Sequence, residues 1–170
     1  MRGAAISDFD RALQLNADDA QAVNNRGIVL ASQKNYQAAL SDFTRAIGLN
    51  PIYAQAFYNR GVAYQFGFQD LGISENIAVS KALSDYTAAI LFDPDYSNAY
   101  NNRGMGYAQK GDYAAAIRDF GHVIVLNPDQ ADAYYNRGLA YQLYGDERQA
   151  KVDFKKALEL NPAYQEIFGH

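Results

Sequence analysis

The chain has 170 residues, 49% of them hydrophobic, and a net charge of -4 spread over 15 basic and 19 acidic side chains. That balance suits a folded, soluble chain and excludes a disordered one, and no run of Lys or Arg exceeds Lys155-Lys156, so nucleic acid, which needs a basic patch, is not an expected partner. The lack of an 18-residue apolar run speaks against membrane insertion, and the lack of Cys removes disulfides, thiolate metal sites and Cys nucleophiles together.

In chain order, residues 4–16 read as a helix with Ala5, Phe9 and Ala12 on one face. An Asn-Arg-Gly triplet follows at Asn25 to Gly27 and returns at Asn59 to Gly61, Asn102 to Gly104 and Asn136 to Gly138. The glycines are spaced by 34, 43 and 34 residues, which defines a 34-residue unit with nine residues added to one copy. Each unit carries two apolar stripes at helical spacing, as in Tyr134, Gly138 and Tyr141, then Ala150, Phe154 and Ala157. Gly111-Asp112 and Gly145-Asp146 punctuate the joint between the two helices. Asn50-Pro51, Asp93-Pro94, Asn127-Pro128 and Asn161-Pro162 end the second helix, because a residue before proline is pushed out of the helical region. The predicted pairs occupy 20–51, 54–94, 97–128 and 131–162, and 163–170 begins a further first helix with Phe168 in its leading apolar slot.

The nine added residues fall between Tyr64 and Ala82. Gln65 to Leu71 can continue the first helix, Gly72 can stop it, and Ser74 before Glu75 has the character of an N-cap, so each helix gains about one turn over 65–78. Phe66, Phe68, Leu71, Ile73 and Ile77 then either seal a longer hairpin or stand exposed as a contact knob.

The repeated unit resembles the tetratricopeptide repeat. The family's large residue at the start of the first helix is matched by Val23, Phe57, Tyr100 and Tyr134, and its small crossing residue by Gly27, Gly61, Gly104 and Gly138. The aromatic slot one turn later holds Leu30, Tyr64, Tyr107 and Tyr141. The second-helix stripe is matched by Ala39, Phe43 and Ala46, by Ala82, Tyr86 and Ala89, by Ala116, Phe120 and Val123, and by Ala150, Phe154 and Ala157. The resemblance implies an all-α fold, a right-handed solenoid of nine helices in four complete pairs behind a lone second helix. It implies a protein-interaction scaffold with no cofactor and no metal. Residues 4–16 and 163–170 are out of phase with whole repeats. Two readings follow, a piece of a longer repeat protein or open ends that pair between chains into a homo-oligomer.

Catalysis has little to be built from. His122 and His170 have no nucleophile in phase, and the Asp-rich turns lack a calcium-loop pattern and read as caps. No enzyme is expected. The most regular charges are Arg26, Arg60, Arg103 and Arg137 with Asp42, Asp85, Asp119 and Asp153, four candidate structural ion pairs.

In the resembled family the first helices line the concave face, and the residue two before the crossing glycine looks inward. Here it is Asn25, Asn59, Asn102 and Asn136, whose amides offer both a donor and an acceptor to a peptide backbone. Neighbouring slots hold Gln21, Asn24, Gln55, Tyr58, Asn98, Asn101, Asp132 and Tyr135, with Ile28, Val62, Met105 and Leu139 just past the glycines. None of these slots holds the lysines of the family's carboxylate-clamp subgroup, so the expected ligand is an extended, largely uncharged peptide segment. A targeting module of a larger protein is the remaining alternative. The compartment expected is the cytoplasm, or the periplasm if a leader has been removed.

Overall fold

The computed structural model describes residues 2–165, with side chains from residue 6 onward. The expected slots of Phe168 and His170 lie outside the described residues, as does the side chain of Ala5. Among the described residues all regular structure is helical: α1 (Arg2–Leu15), α2 (Ala20–Ser32), α3 (Tyr36–Leu49), α4 (Ala54–Gly67), α5 (Glu75–Phe92), α6 (Ser97–Gln109), α7 (Tyr113–Leu126), α8 (Ala131–Tyr144) and α9 (Glu147–Leu160). A 3-10 turn over Pro162–Tyr164 follows. None of these helices is long and apolar enough to cross a membrane.

The chain forms two compact units, one up to Pro94 and one from Asp95 onward. In the first, α1 to α5 pack in sequence, each on the next, and α2 also lies beside α4. In the second, α6 to α9 do the same, α6 lies beside α8, and α9 meets the 3-10 turn. Each repeat is thus a helical hairpin packed on its neighbour in the unit, the arrangement of a helical-repeat protein.

The hairpins close because of residues at three points. At the crossing, a Cβ on Gly27, Gly61, Gly104 or Gly138 would fall 2.7, 2.8, 2.9 or 2.6 Å from the ring of Phe43, Tyr86, Phe120 or Phe154. Only a hydrogen lets the helices approach that closely. Tyr86, the one second-helix tyrosine in this slot, is fully buried and donates its hydroxyl hydrogen to Gln65 Oε1 at 2.6 Å, so its polar tip is satisfied. At the end of each first helix, the residue after the last turn is left-handed: Lys34, Gly72, Gly111 and Gly145 have φ of 62°, 65°, 80° and 96°. The paired bonds Asn35 N to Leu30 O and Lys34 N to Ala31 O, repeated at the other three joints, are those of a Schellman cap. The second helices then start on Asn35, Ser74, Asp112 and Asp146, whose side chains accept from the backbone N–H three residues on.

The expected extra turn in each helix forms in α5 alone: α4 has 14 residues, as α8 has. Regular α4 ends at Gly67, because its next turn, closed by Leu71 N to Gly67 O, is already part of the cap at Gly72. A side chain at Gly67 would overlap the ring of Tyr36, so this turn is also pinned against α3. The added length goes into α5, which has 18 residues against 14 in α3. Phe68, Leu71 and Ile73 are half-buried, whereas Phe66 and Ile77 are exposed, so the hairpin is sealed only in part.

Alanines and aromatics form the cores. Ala39, Phe43 and Ala63 cluster in the first unit under Leu30, Ala31, Tyr36 and Leu40. Ala116, Phe120 and Ala140 cluster in the second under Tyr107, Ala108 and Ile117. A ring as buried as Phe43 contributes roughly 1.5–3 kcal/mol. On α1, Leu13 enters the core with Ala22, Val23, Ala46 and Ala56, Ile6 and Phe9 are half-buried, and Ala12 is exposed.

Candidate functional site

Four arginine–aspartate pairs brace the hairpins. Arg26 donates from Nε and Nη2 to Asp42 at 2.8 and 2.7 Å, Arg60 to Asp85 at 3.0 and 2.7 Å, Arg103 to Asp119 at 2.7 and 2.8 Å, and Arg137 to Asp153 at 2.7 Å for both. Each pair joins the first helix to the second within one repeat. The aspartates are buried and the guanidinium planes half-buried, the setting in which fork-to-carboxylate geometry counts most. Hydrogen bonds to these carboxylates raise all four arginine pKa values above their ordinary range. At Asp85, burial pushes the carboxyl up and the bonds from Arg60 pull it back. The charges of these arginines are thus committed to carboxylates inside the hairpins.

The residues facing Arg26, Arg60 and Arg137 from the preceding second helix differ. Arg26 meets a second carboxylate, Asp10, at 2.7 Å. Arg60 meets the hydroxyl of Thr44 at 3.3 Å. Arg137 faces Gly121, where an added Cβ would lie 3.8 Å from Nη1.

On the first-helix face the asparagines form rows. In the first unit Asn59 Nδ2 donates to Asn24 Oδ1 at 2.9 Å, and Asn24 Nδ2 donates to Asn25 Oδ1 at 3.5 Å. In the second, Asn136 Nδ2 donates to Asn101 Oδ1 at 3.4 Å, and Asn101 Nδ2 to Asn102 Oδ1 at 3.3 Å. The two rows are the same row displaced by 77 residues. Asn24, a sequence candidate for peptide contact, is 0% exposed and serves as the link between its neighbours. Asn25, Asn59, Asn101, Asn102 and Asn136 remain half-buried, and Gln55 and Asn98 are exposed on the same helices.

The tyrosine candidates are held by other rings. Tyr58 lies 5.8 Å from Tyr86, and Tyr135 lies 6.0 Å from Phe154 and is stacked at 4.8 Å on Tyr164. Tyr164 also donates its hydroxyl hydrogen to Asp132 at 2.5 Å, and burial together with that carboxylate pushes its pKa upward. His122 is exposed and stacked on Tyr100 at 4.9 Å.

A cavity of about 330 Å³ opens on the first-helix face of the first unit, lined by Ile28, Tyr36, Asn59, Val62 and Phe66 among others. The sequence offers Phe66 only as part of a contact knob on the insertion, not as a neighbour of the asparagine slots. The signal that finds it is an alternation between odd and even repeats. Three residues before the glycine the chain reads Asn24, Tyr58, Asn101, Tyr135, and five after it Ser32, Phe66, Gln109, Leu143.

The sequence matches the tetratricopeptide repeat over residues 20–53 and 131–164, and a TPR repeat description over 106–145. No protein of curated function matches it in sequence. Among solved structures it is similar to the MamA protein, at 25% identity over 97% of this chain and 85% of that one, with a TM-score of 0.77. It is similar in fold to MamA from residue 41 to its end from Desulfovibrio magneticus RS-1, at 20% identity, 95% and 86% coverage and a TM-score of 0.79. A thermophilic TPR protein of Thermus thermophilus shares the fold at 23% identity, 95% and 84% coverage and a TM-score of 0.72. With four in-phase hairpins crossing at glycine and these matches, the chain belongs to the tetratricopeptide-repeat family and has the architecture of a protein–protein interaction scaffold.

Proposed function

We propose that the chain is a non-catalytic scaffold whose first-helix faces bind extended, largely uncharged segments of partner proteins. The observation that carries this reading is the hydrogen-bonded amide row, present once in each unit. A row of linked amides is ordered before any ligand arrives, so little side-chain entropy is lost on binding. In the first unit its ends present the Oδ1 acceptor of Asn59 and the Nδ2 donor of Asn25, the two functions an extended backbone presents in alternation. Acidic ligands gain little from this surface, since the nearby arginines are committed to aspartates.

Peptide-display selection against the full chain tests the proposal. Enriched sequences should be extended and uncharged, and should lose affinity for a chain carrying Asn59→Ala and Asn102→Ala together, checked to be folded by thermal melting. Enrichment of acidic or basic peptides, or equal binding to the double variant, would count against it.

A second reading, self-assembly, draws on the incompletely covered face of α1, where Leu15 is 86% exposed and Ile6 and Phe9 are half-buried. Light scattering decides it: a size that grows with concentration and reverts on placing Asp at residues 6 and 9 would favour this reading over peptide capture.

A further inference from the structure

The two amide rows also correspond in what flanks them along the sequence. Beside Asn59 and Asn24 stand Ile28 and Phe66, 39% and 59% exposed. Displaced by 77 residues, Met105 and Leu143 hold the corresponding positions on α6 and α8, 40% and 60% exposed, and Asn101 Nδ2 lies 3.6 Å from Met105 Sδ. The clusters beneath correspond too: Ala39, Phe43 and Ala63 become Ala116, Phe120 and Ala140. Single exposed apolar residues are ordinary on a protein surface. A matched pair of them at the same two slots, each flanking the same relay over the same core, is a repeated site.

We propose that the chain carries two copies of one recognition site, one per unit, each seating a single bulky uncharged side chain of Leu, Met or Phe type from an extended protein segment. This rests on the reading of the amide rows as backbone-holding groups. The occupant follows from charge. No charged side chain lines the cavity beside Phe66, whose polar groups are Asn59, Ser32 and Tyr36. A charged side chain entering there would lose water and gain no counterion, whereas an apolar one covers Ile28 and Phe66 and leaves the amides to the backbone on either side. The rows lie between the first and second repeat of each unit, so the recognition module is a pair of repeats and its valence in this chain is two.

The test uses the full chain labelled uniformly with ¹⁵N and with ¹³C at Ile, Leu and Met methyl groups. The probe is a pool of N-acetylated, C-amidated hexapeptides of uncharged residues with Leu, Met or Phe fixed at the third position. The methyl signals of Ile28 and Met105 should both shift, with superimposable titration curves, and a pool with Ser fixed at that position should move neither. Phe66→Asp should abolish the Ile28 response and spare that of Met105, and Leu143→Asp should do the reverse. Response at only one of the two, or loss of both in either single variant, would overturn the two-site proposal. Shifts of the Asn59 and Asn136 side-chain amides with Ile28 and Met105 unmoved would sink it while leaving amide-row binding intact. No shift anywhere would sink both.

Discussion

Asn59 Nδ2 reaches across 35 residues of sequence to Oδ1 of Asn24 at 2.9 Å, and Asn24 has no exposed surface. A fully buried amide is stable only while its donors and acceptors are matched. Asn24→Ala should therefore cost about 2 kcal/mol, and Asn101→Ala, at a half-buried site with a 3.4 Å bond, about 1 kcal/mol or less. Urea unfolding of the two variants checks the ranking, and equal losses would contradict it.

Lys34 occupies the left-handed position that glycine fills at the other three hairpin joints. A side chain there strains the backbone, while glycine adds freedom to the unfolded chain. The net expectation for Lys34→Gly is a gain of about 0.5–1 kcal/mol, and Gly111→Ala should lose a similar amount. Thermal melts of both variants are sufficient.

Two glycines within helices should respond with opposite signs to the same substitution. Gly138→Ala drives a methyl to 2.6 Å from the Phe154 ring and should cost about 1–3 kcal/mol. Gly48→Ala meets nothing within 4 Å and should gain roughly 0.5–1 kcal/mol from helix propensity. Destabilisation by both would mean that the close crossing is not the cause.

Arg103→Ala leaves the carboxylate of Asp119 buried without its fork and removes the guanidinium from over the Tyr100 and Tyr107 rings, 5.5 and 5.9 Å from their centroids. The expected loss is about 3 kcal/mol. Arg103→Met combined with Asp119→Leu should recover most of it, because the cost is that of an uncompensated charge. Unchanged stability in Arg103→Ala would refute the bracing role of all four pairs.

Much of this was legible in the sequence because glycine, proline and the aromatic stripe report backbone needs directly. Gly27 and Phe43 announce a crossing whatever surrounds them. The caps at Gly111 and Gly145 were equally plain, but Lys34 was not, since no side chain advertises positive φ. The asparagine face was visible as composition. That Asn24 links two neighbours inside the structure was not, because one asparagine looks like the next until burial separates them. The alternation of Asn and Tyr before the glycines is plain in the sequence, yet its meaning as a paired module emerges only once Asn59 and Asn136 are seen making the same bond.

The partners that Arg26, Arg60 and Arg137 find on the preceding second helix, a carboxylate, a hydroxyl and a bare backbone position, differ in charge from joint to joint. In a stack held by nearest-neighbour terms, such differences make the joints respond unequally to ionic strength. The joint of α1 with α2 is latched by charge, and the joint of α7 with α8 rests on packing alone at that point. Added salt should therefore loosen the joint of α1 with α2 by screening its latch, and should leave the joint of α7 with α8 indifferent at the corresponding point.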